Sequence, residues 1–229
     1  MSDHSLEIDL APLIDHTFLN PVASRSQIEQ CCDYAQRYQF AAICIYPCYV
    51  PLATECLRGK SPKVSTVIGF PSGASTSAVK YYEAQEAAEN GATELDVMVN
   101  LSWIKQGETQ KLYQEIASIC EDTGQTVKAI IETAVLTDAQ KRLATEVVMD
   151  AGATWVQTNT GWYGGATVAD VKLLKQFSKG KLGVKAAGQI RTYQQAAELI
   201  LAGAARLGTS YSVEIVRQQN EKEEDDNLE

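Results

Sequence analysis

Two charged residues stand inside otherwise apolar stretches of this sequence, where burial would change their chemistry. Lys185 interrupts the small, apolar run 183–188, and Asp96 alternates with apolar residues in the run 94–99. Burial disfavours the charged form of an amine, so Lys185 is predicted to supply a neutral amine that acts as nucleophile or base. Asp96 has two interpretations at this point, as a proton-transferring carboxylate or as a buried carboxylate that only accepts hydrogen bonds.

Lys128 and Glu132 form a second pair of charged residues. They share one face of the run 127–132, because alternate residues of a β-strand point to the same side. A structural ion pair with neighbouring strands explains them as well as a catalytic role does, and both interpretations stay open on the sequence alone.

Small residues follow the last two candidate strands. Gly188 follows the first of these strands, and Gly208 closes the second, two residues before Ser210. Backbone N–H groups and a helix N-terminus can approach an anion closely at such junctions, so the two glycines together predict a phosphate site. Either glycine alone is equally compatible with a tight turn. The glycine-rich stretch 161–165 lacks the spacing of a pyrophosphate-binding loop and is interpreted as an ordinary loop.

The composition argues against several classes of partner and site. A net charge of −9 and a pI near 4.8 argue against binding to nucleic acid or to an anionic membrane surface, and no apolar run approaches the length of a membrane span. The two histidines, His4 and His16, cannot build a histidine-rich zinc site, so no metal is expected. The sequence has neither a Walker loop nor a dinucleotide-binding fingerprint, so no other cofactor is expected. The six cysteines lack paired spacing and are interpreted as the reduced thiols of a cytoplasmic protein.

Short apolar segments alternate with longer segments of helical periodicity, which is the pattern of repeated βα units. The eight candidate strands are 12–15, 41–46, 63–69, 93–100, 126–132, 154–158, 181–186 and 205–208. Helices are predicted at 26–39, 76–90, 109–123, 137–151, 167–177 and 192–201. Eight strands favour a single (β/α)8 TIM barrel of the α/β class, with a doubly wound open sheet as the alternative.

The domain organisation follows from where the composition changes. One barrel domain is predicted for residues 1–216, because no linker-like segment divides it. Residues 217–229 are predicted to form a disordered acidic tail, since the segment 221–229 holds six acids and one lysine. A peptide that binds a partner protein is the alternative interpretation of this tail.

Eight short motifs occur in order between residues 11 and 216: IDHT (14–17), CIYP (44–47), VIGFP (67–71), ELD (94–96), IIET (130–133), TNTG (158–161), VKAAG (184–188) and RLGTS (206–210). Together they resemble deoxyribose-phosphate aldolase. The resemblance implies a TIM barrel that splits 2-deoxyribose 5-phosphate into acetaldehyde and glyceraldehyde 3-phosphate without a metal. In that mechanism a strand lysine attacks the open-chain aldehyde, and the protonated imine accepts the electrons of the breaking carbon–carbon bond.

The resemblance also implies roles for individual residues. Asp96 would relay protons through water, and Lys185 would lower the pKa of the nucleophilic amine by like-charge repulsion. Phosphate and substrate binding is implied for five positions: Gly188, Gly208, Ser210, Thr160 and Cys44. The implied partner is a small phosphorylated sugar, and a homo-oligomer is compatible with the sequence.

Gln157 occupies the position of the imine-forming lysine, directly before the TNTG motif. An amide nitrogen is delocalised into its carbonyl and forms no imine, so the sequence predicts a retained sugar-phosphate pocket with impaired or absent turnover. Gln189 and Tyr211 are further departures, where the resemblance implies a glycine and a small residue. Two alternatives stay open: an active aldolase that forms its imine on Lys185, and a non-catalytic regulatory or scaffold protein.

Overall fold

The computed structural model describes residues 8–226 and forms a closed barrel of parallel strands. The strands are β1 (Ile14–Phe18), β2 (Ala42–Ile45), β3 (Lys63–Ile68), β4 (Glu94–Met98), β5 (Thr126–Ile130), β6 (Trp155–Gln157), β7 (Gly183–Ala187) and β8 (Arg206–Thr209). Each strand pairs with the next, and β1 pairs with β8 to close the barrel. The predicted single (β/α)8 TIM barrel is therefore confirmed, and the open doubly wound sheet is wrong.

Helices surround this barrel. The α-helices are α1 (Arg25–Arg37), α2 (Val50–Cys56), α3 (Ser77–Glu89), α4 (Leu101–Gln106), α5 (Thr109–Thr123), α6 (Asp138–Asp150), α7 (Val168–Ser178), α8 (Tyr193–Leu201) and α9 (Ser212–Asp226). Short 3-10 helices occur at Ala11–Leu13, Pro47–Tyr49 and Thr133–Val135. The six predicted helices correspond to α1, α3, α5, α6, α7 and α8. Across residues 8–226, no helix is both long and apolar enough to cross a membrane.

Hydroxyl side chains fix where several helices begin. Ser24 accepts a hydrogen bond from the backbone N–H of Gln27, and the Gln27 side chain accepts one from the backbone of Ser24. Thr137 and Gln140 form the same reciprocal pair at α6. Such caps satisfy N–H groups that have no partner within the helix, which positions the helices relative to the strands before them.

Glycines close three of the helices, and each of them is followed by an alanine that leads into the next strand. Gly91, Gly152 and Gly203 have positive φ angles of 103°, 91° and 113°. A residue with a Cβ adopts this conformation only with strain, so glycine turns the chain sharply from the helix into the next strand.

Helix α9 corrects the prediction that the chain is disordered from residue 217, because residues 217–226 continue this helix. Gln219 anchors it: its Nε2 donates to the Ile8 carbonyl at 3.0 Å, and its Oε1 accepts from the Leu10 N–H at 3.3 Å. Once these turns are fixed, each further residue adds a backbone hydrogen bond, and helix growth is cooperative. The composition of the segment did not reveal this anchor. Residues 227–229 lie outside the described residues.

His16, the histidine within the described residues, packs outside the charged interior of the barrel. His16 of β1 stacks on Phe40 with ring centroids 5.4 Å apart and hydrogen-bonds to Ser212 through Nδ1. Burial lowers the pKa of His16 to about 4, so the ring is neutral near pH 7 and acts as a packing residue. His4 lies in residues 1–7, outside the described residues.

Candidate active site

Lys128 of β5 lies in the barrel interior and contacts three carboxylates. Its Nζ lies 2.5 Å from Glu94 Oε2 and 3.0 Å from both Asp15 Oδ2 and Asp96 Oδ1. It also donates to Ser65 Oγ at 3.1 Å. Burial lowers the pKa of Lys128, but the surrounding carboxylates outweigh burial and raise it well above its usual value. This geometry is that of a structural ion-pair centre, the first of the two interpretations.

Lys185 of β7 lies in the same interior but between two carboxylates. Its Nζ is 2.7 Å from Asp15 Oδ2 and 2.5 Å from Asp96 Oδ2, and the side chain is 1% exposed. Burial lowers the pKa of Lys185, yet Asp15 and Asp96 raise it to a net value above that of a free lysine. The prediction of a neutral amine at this position is therefore wrong, because the sequence did not show two carboxylates closing on one ammonium.

Asp96 of β4 links these two lysines. Besides the ion pairs it accepts hydrogen bonds from Ser65 Oγ at 2.9 Å and from Cys44 Sγ at 3.5 Å. Burial raises the pKa of Asp96, but Lys128 and Lys185 outweigh burial, so its pKa is lowered and it stays a carboxylate. Burial raises the pKa of the Cys44 thiol well above its usual value, and the negative charge of Asp96 raises it further. The thiol therefore stays protonated.

Asp15 of β1 completes the network and was missed as a site residue. It contacts Lys128, Lys185 and Arg206, whose Nη1 lies 2.6 Å from Asp15 Oδ1. Its burial opposes ionisation, but the three cations outweigh burial and hold the pKa of Asp15 far below its usual range. The signal in the sequence was an acid within an apolar strand, the same signal that singled out Asp96. The network contains three carboxylates (Asp15, Glu94, Asp96) and three cations (Lys128, Lys185, Arg206).

Gln157 ends β6 beside this network and pairs in register with Lys185 of β7. Its side-chain Nε2 donates to the Asn159 carbonyl at 3.3 Å. Its Oε1 is buried and has no hydrogen-bond partner among the residues that the structure describes. The position therefore offers a carboxamide with a free acceptor and no primary amine.

A cavity of about 350 Å³ opens above the network. All eight site residues predicted from the sequence line it: Cys44, Asp96, Gln157, Thr160, Lys185, Gly188, Gly208 and Ser210. Its size falls in the range of small-molecule sites, which combine an apolar wall with a few polar groups. The aromatic part of this wall consists of Tyr46, Phe70, Trp162 and Tyr211.

Arg191 is the cation at the end of the cavity where phosphate binding was predicted. Its Cζ lies 5.6 Å from the ring centroid of Tyr211, so the ring holds the guanidinium at the rim.

Gly188 has a φ of 98°, and a Cβ there would lie 3.0 Å from the Gly164 carbonyl oxygen. Gln189 follows with a φ of 57°, a left-handed conformation that is unusual for a residue with a side chain. Glycine at position 188 is thus explained by a tight turn and close loop packing.

Gly208 of β8 has a different reason to be glycine. A Cβ at this position would lie 3.0 Å from Lys185 Cε and 3.0 Å from Ala187 Cβ. Real Cβ atoms rarely come so close to other carbons, so Gly208 leaves the space through which the Lys185 side chain passes. This packing by itself accounts for a glycine at position 208.

Thr160 is held at the cavity by Glu132. Glu132 Oε2 accepts hydrogen bonds from the Thr160 N–H at 3.0 Å and from Thr160 Oγ1 at 2.5 Å. Burial raises the pKa of Glu132 by more than these two bonds lower it. Glu132 has a φ of 55°, which turns the chain so that its carboxyl group meets the loop after β6. Lys128 is part of the ion-pair network, whereas Glu132 holds the loop after β6 through its hydrogen bonds to Thr160.

Comparison with known proteins identifies the family. The family model described as DeoC/LacD family aldolase matches residues 10–211. A deoxyribose-phosphate aldolase of Trichormus variabilis is 58% identical over 216 residues, 94% of this chain and 96% of that protein. One from Microcystis aeruginosa is 59% identical over 213 residues, 93% of this chain and 95% of that protein. The chain belongs to the deoxyribose-phosphate aldolase family.

Solved structures agree with this assignment to the deoxyribose-phosphate aldolase family. An aldolase named QR15 superimposes with a TM-score of 0.90 at 36% identity, over 94% of this chain and 98% of that one. A deoxyribose phosphate aldolase from Aeropyrum pernix, described as having a unique tetrameric structure, gives a TM-score of 0.85 at 34% identity, over 91% of this chain and 89% of that one.

The three positions that the sequence analysis interpreted as departures from the deoxyribose-phosphate aldolase pattern all line the cavity. Gln157 lies at the deep end beside Lys185, and Gln189 and Tyr211 lie at the end that contains Arg191. Sequence reasoning named these departures but did not name Arg191, because one arginine on a loop has no distinguishing local signal.

Proposed function

We propose that this protein binds a small phosphorylated sugar in the barrel cavity and has little or no aldolase turnover. The observation that carries the proposal is the carboxamide of Gln157, which ends β6 beside Lys185. The family reaction needs a primary amine that forms an imine with the aldehyde and then accepts an electron pair. A carboxamide offers no nucleophilic lone pair, so the step that precedes carbon–carbon cleavage does not occur at this position.

Lys185 is a poor substitute for the missing amine. Its ammonium is shared by Asp15 and Asp96 at 2.7 and 2.5 Å, and both contacts raise its pKa. An attacking amine must be deprotonated, which here would leave two buried carboxylates with less compensating charge. This argument disfavours the alternative in which the imine forms on Lys185.

The remaining features support binding of a sugar phosphate. Arg191 supplies a positive charge at one end of the cavity, beside Ser210 and the loop at Gly188. Lys185 and Asp96 supply a donor and an acceptor for hydroxyl groups at the other end. By analogy with the family, the ligand is 2-deoxyribose 5-phosphate or a close relative of it.

Three measurements on the purified protein test the proposal and its alternative. Incubation with 2-deoxyribose 5-phosphate is expected to release no glyceraldehyde 3-phosphate above background, whereas calorimetry is expected to show saturable binding. Turnover of about 1–10³ s⁻¹, the usual range for enzymes, would contradict the proposal. Borohydride treatment with the sugar present, followed by peptide mass mapping, is expected to leave Lys185 unmodified. An adduct on Lys185 would support the alternative in which the imine forms on that residue.

We further infer that the protein is a homo-oligomer. The support is the solved relative from Aeropyrum pernix that is described as tetrameric. Light scattering behind size-exclusion chromatography is expected to give a mass that is a multiple of the 25.0 kDa chain. A concentration-independent mass of one chain would overturn this inference.

A further inference from the structure

The Gln157 carboxamide presents an unsatisfied acceptor to the cavity. Gln157 is 5% exposed, and its Oε1 has no hydrogen-bond partner among the residues in the described range. The bond from Nε2 to the Asn159 carbonyl fixes which end of the amide is which, so the oxygen points away from Asn159. A buried acceptor without a partner is unfavourable, and a ligand that donates a hydrogen bond to it gains affinity.

Lys185, the residue beside the Gln157 acceptor, is a hydrogen-bond donor. Lys185 pairs in register with Gln157, and its ammonium carries three N–H groups, of which the contacts with Asp15 and Asp96 use two. A ligand atom between Gln157 and Lys185 therefore meets an acceptor on one side and a donor on the other. A hydroxyl group matches both, because it donates one hydrogen bond and accepts others. A carbonyl oxygen accepts only, so it would face the Gln157 oxygen without a proton between them.

The difference between a hydroxyl group and a carbonyl oxygen distinguishes two forms of the same sugar phosphate. The open-chain form of 2-deoxyribose 5-phosphate has an aldehyde carbonyl at carbon 1, whereas the cyclic hemiacetal has a hydroxyl there. We propose that Gln157 selects the cyclic hemiacetal of a phosphorylated pentose, by accepting a hydrogen bond from the hydroxyl on carbon 1. The inference rests on the proposed function, which places a sugar phosphate in this cavity. It converts the position of a covalent step into a hydroxyl-recognition site.

The first test uses the unmodified protein. 2-Deoxyribose 5-phosphate labelled with carbon-13 at carbon 1 is added to an excess of protein, and the carbon-13 NMR spectrum is recorded. The bound signal is expected in the hemiacetal region. A bound signal in the aldehyde or imine region would overturn the inference.

The second test compares two ligands by calorimetry: 2-deoxyribose 5-phosphate and 1,4-anhydro-2-deoxyribitol 5-phosphate, a cyclic analogue without a hydroxyl on carbon 1. The unmodified protein is expected to bind the former about tenfold more tightly, the effect of one well-placed neutral hydrogen bond. In Gln157→Met, which keeps the length of the side chain without its amide, the ratio is expected to fall toward one, and any part that remains is due to the Lys185 donor. Gln176→Met, at an exposed glutamine of α7, is the matched control and keeps the tenfold ratio.

The outcomes distinguish this inference from the proposed function. Equal affinity of the unmodified protein for the two ligands overturns the inference and leaves the sugar-phosphate pocket in place. A ratio that is unchanged in Gln157→Met also overturns it, because the preference then arises elsewhere. Absence of binding of either ligand overturns the proposed function together with the inference.

Discussion

Lys185 of β7 reaches across β8 to Asp15 of β1, and the two side chains meet at 2.7 Å. The residue of β8 between them is Gly208, which pairs with Asp15 in the strand register. A side chain at position 208 would contact the Lys185 side chain, so the ion pair depends on a glycine in a third strand. Gly208 carries no charge, but the charged network depends on the space that it leaves.

Gly208→Ala is expected to lower the free energy of unfolding by about 1–3 kcal/mol, because the added methyl group overpacks the space that Lys185 Cε occupies. Urea denaturation measures the change. In a Lys185→Ala background the same substitution is expected to cost less, since the long side chain is gone. Equal losses in the two backgrounds would show that the contact with Ala187 dominates.

Lys185→Met is expected to lower the free energy of unfolding by about 3–5 kcal/mol at pH 7, because it leaves Asp15 and Asp96 with less compensating charge in a buried site. The pKa of Asp96 is lowered in the folded protein, so its stabilising effect is present above the unfolded pKa of about 4 and is lost as the pH falls. The difference between variant and parent is therefore expected to shrink in acid. A difference that does not change with pH would contradict the ion-pair explanation.

Gln157→Lys is expected to create aldolase activity. The new amine would lie beside the ammonium of Lys185, which lowers the pKa of the amine by like-charge repulsion and favours its nucleophilic form. The expected results are release of glyceraldehyde 3-phosphate and a borohydride-trapped adduct at position 157. Gln157→Arg, which adds the charge without a nucleophile, is the control and stays inactive. If Gln157→Lys folds but forms no adduct, the departures at Gln189 and Tyr211 have changed the site further.

Gln189→Gly is expected to raise the free energy of unfolding by roughly 0.5–1 kcal/mol, because Gln189 has a φ of 57° and glycine adopts this conformation without strain. Lys179→Gly is a matched control, since exposed Lys179 ends α7 with a φ of 50°. Thermal unfolding of both variants checks the expectation. A gain at Lys179 beside a loss at Gln189 would show that contacts of the Gln189 side chain with the Gly165 loop outweigh its backbone strain.

Arg191→Met is expected to weaken binding of 2-deoxyribose 5-phosphate by roughly tenfold or more, because a charge-assisted hydrogen bond to the phosphate is lost. Binding of unphosphorylated 2-deoxyribose should not change. Calorimetry at two salt concentrations provides the measurement, and the variant is expected to be less sensitive to salt. Lys172→Met, on the exposed side of α7, is the control for general charge. Parallel losses for both sugars would place Arg191 away from the phosphate.

The sequence by itself determined the barrel and most residues of the site, although not Asp15 or Arg191. Strand and helix periodicity depends on neighbours a few residues apart, so the eight strands and six of the helices could be predicted with small errors at their ends. An unexpected residue type is also a local signal, which is why Lys185, Asp96 and Gln157 were named and all line the cavity.

Only the tertiary structure decided the charge of Lys185, because burial alone would lower its pKa. Its state depends on Asp15 and Asp96, which approach from strands far away in the chain. The same holds for Gly208, whose reason is the Lys185 side chain, and for α9, which Gln219 anchors to the start of the chain. Electrostatic and packing energies depend on distances in space, and those distances exist only after the barrel has closed.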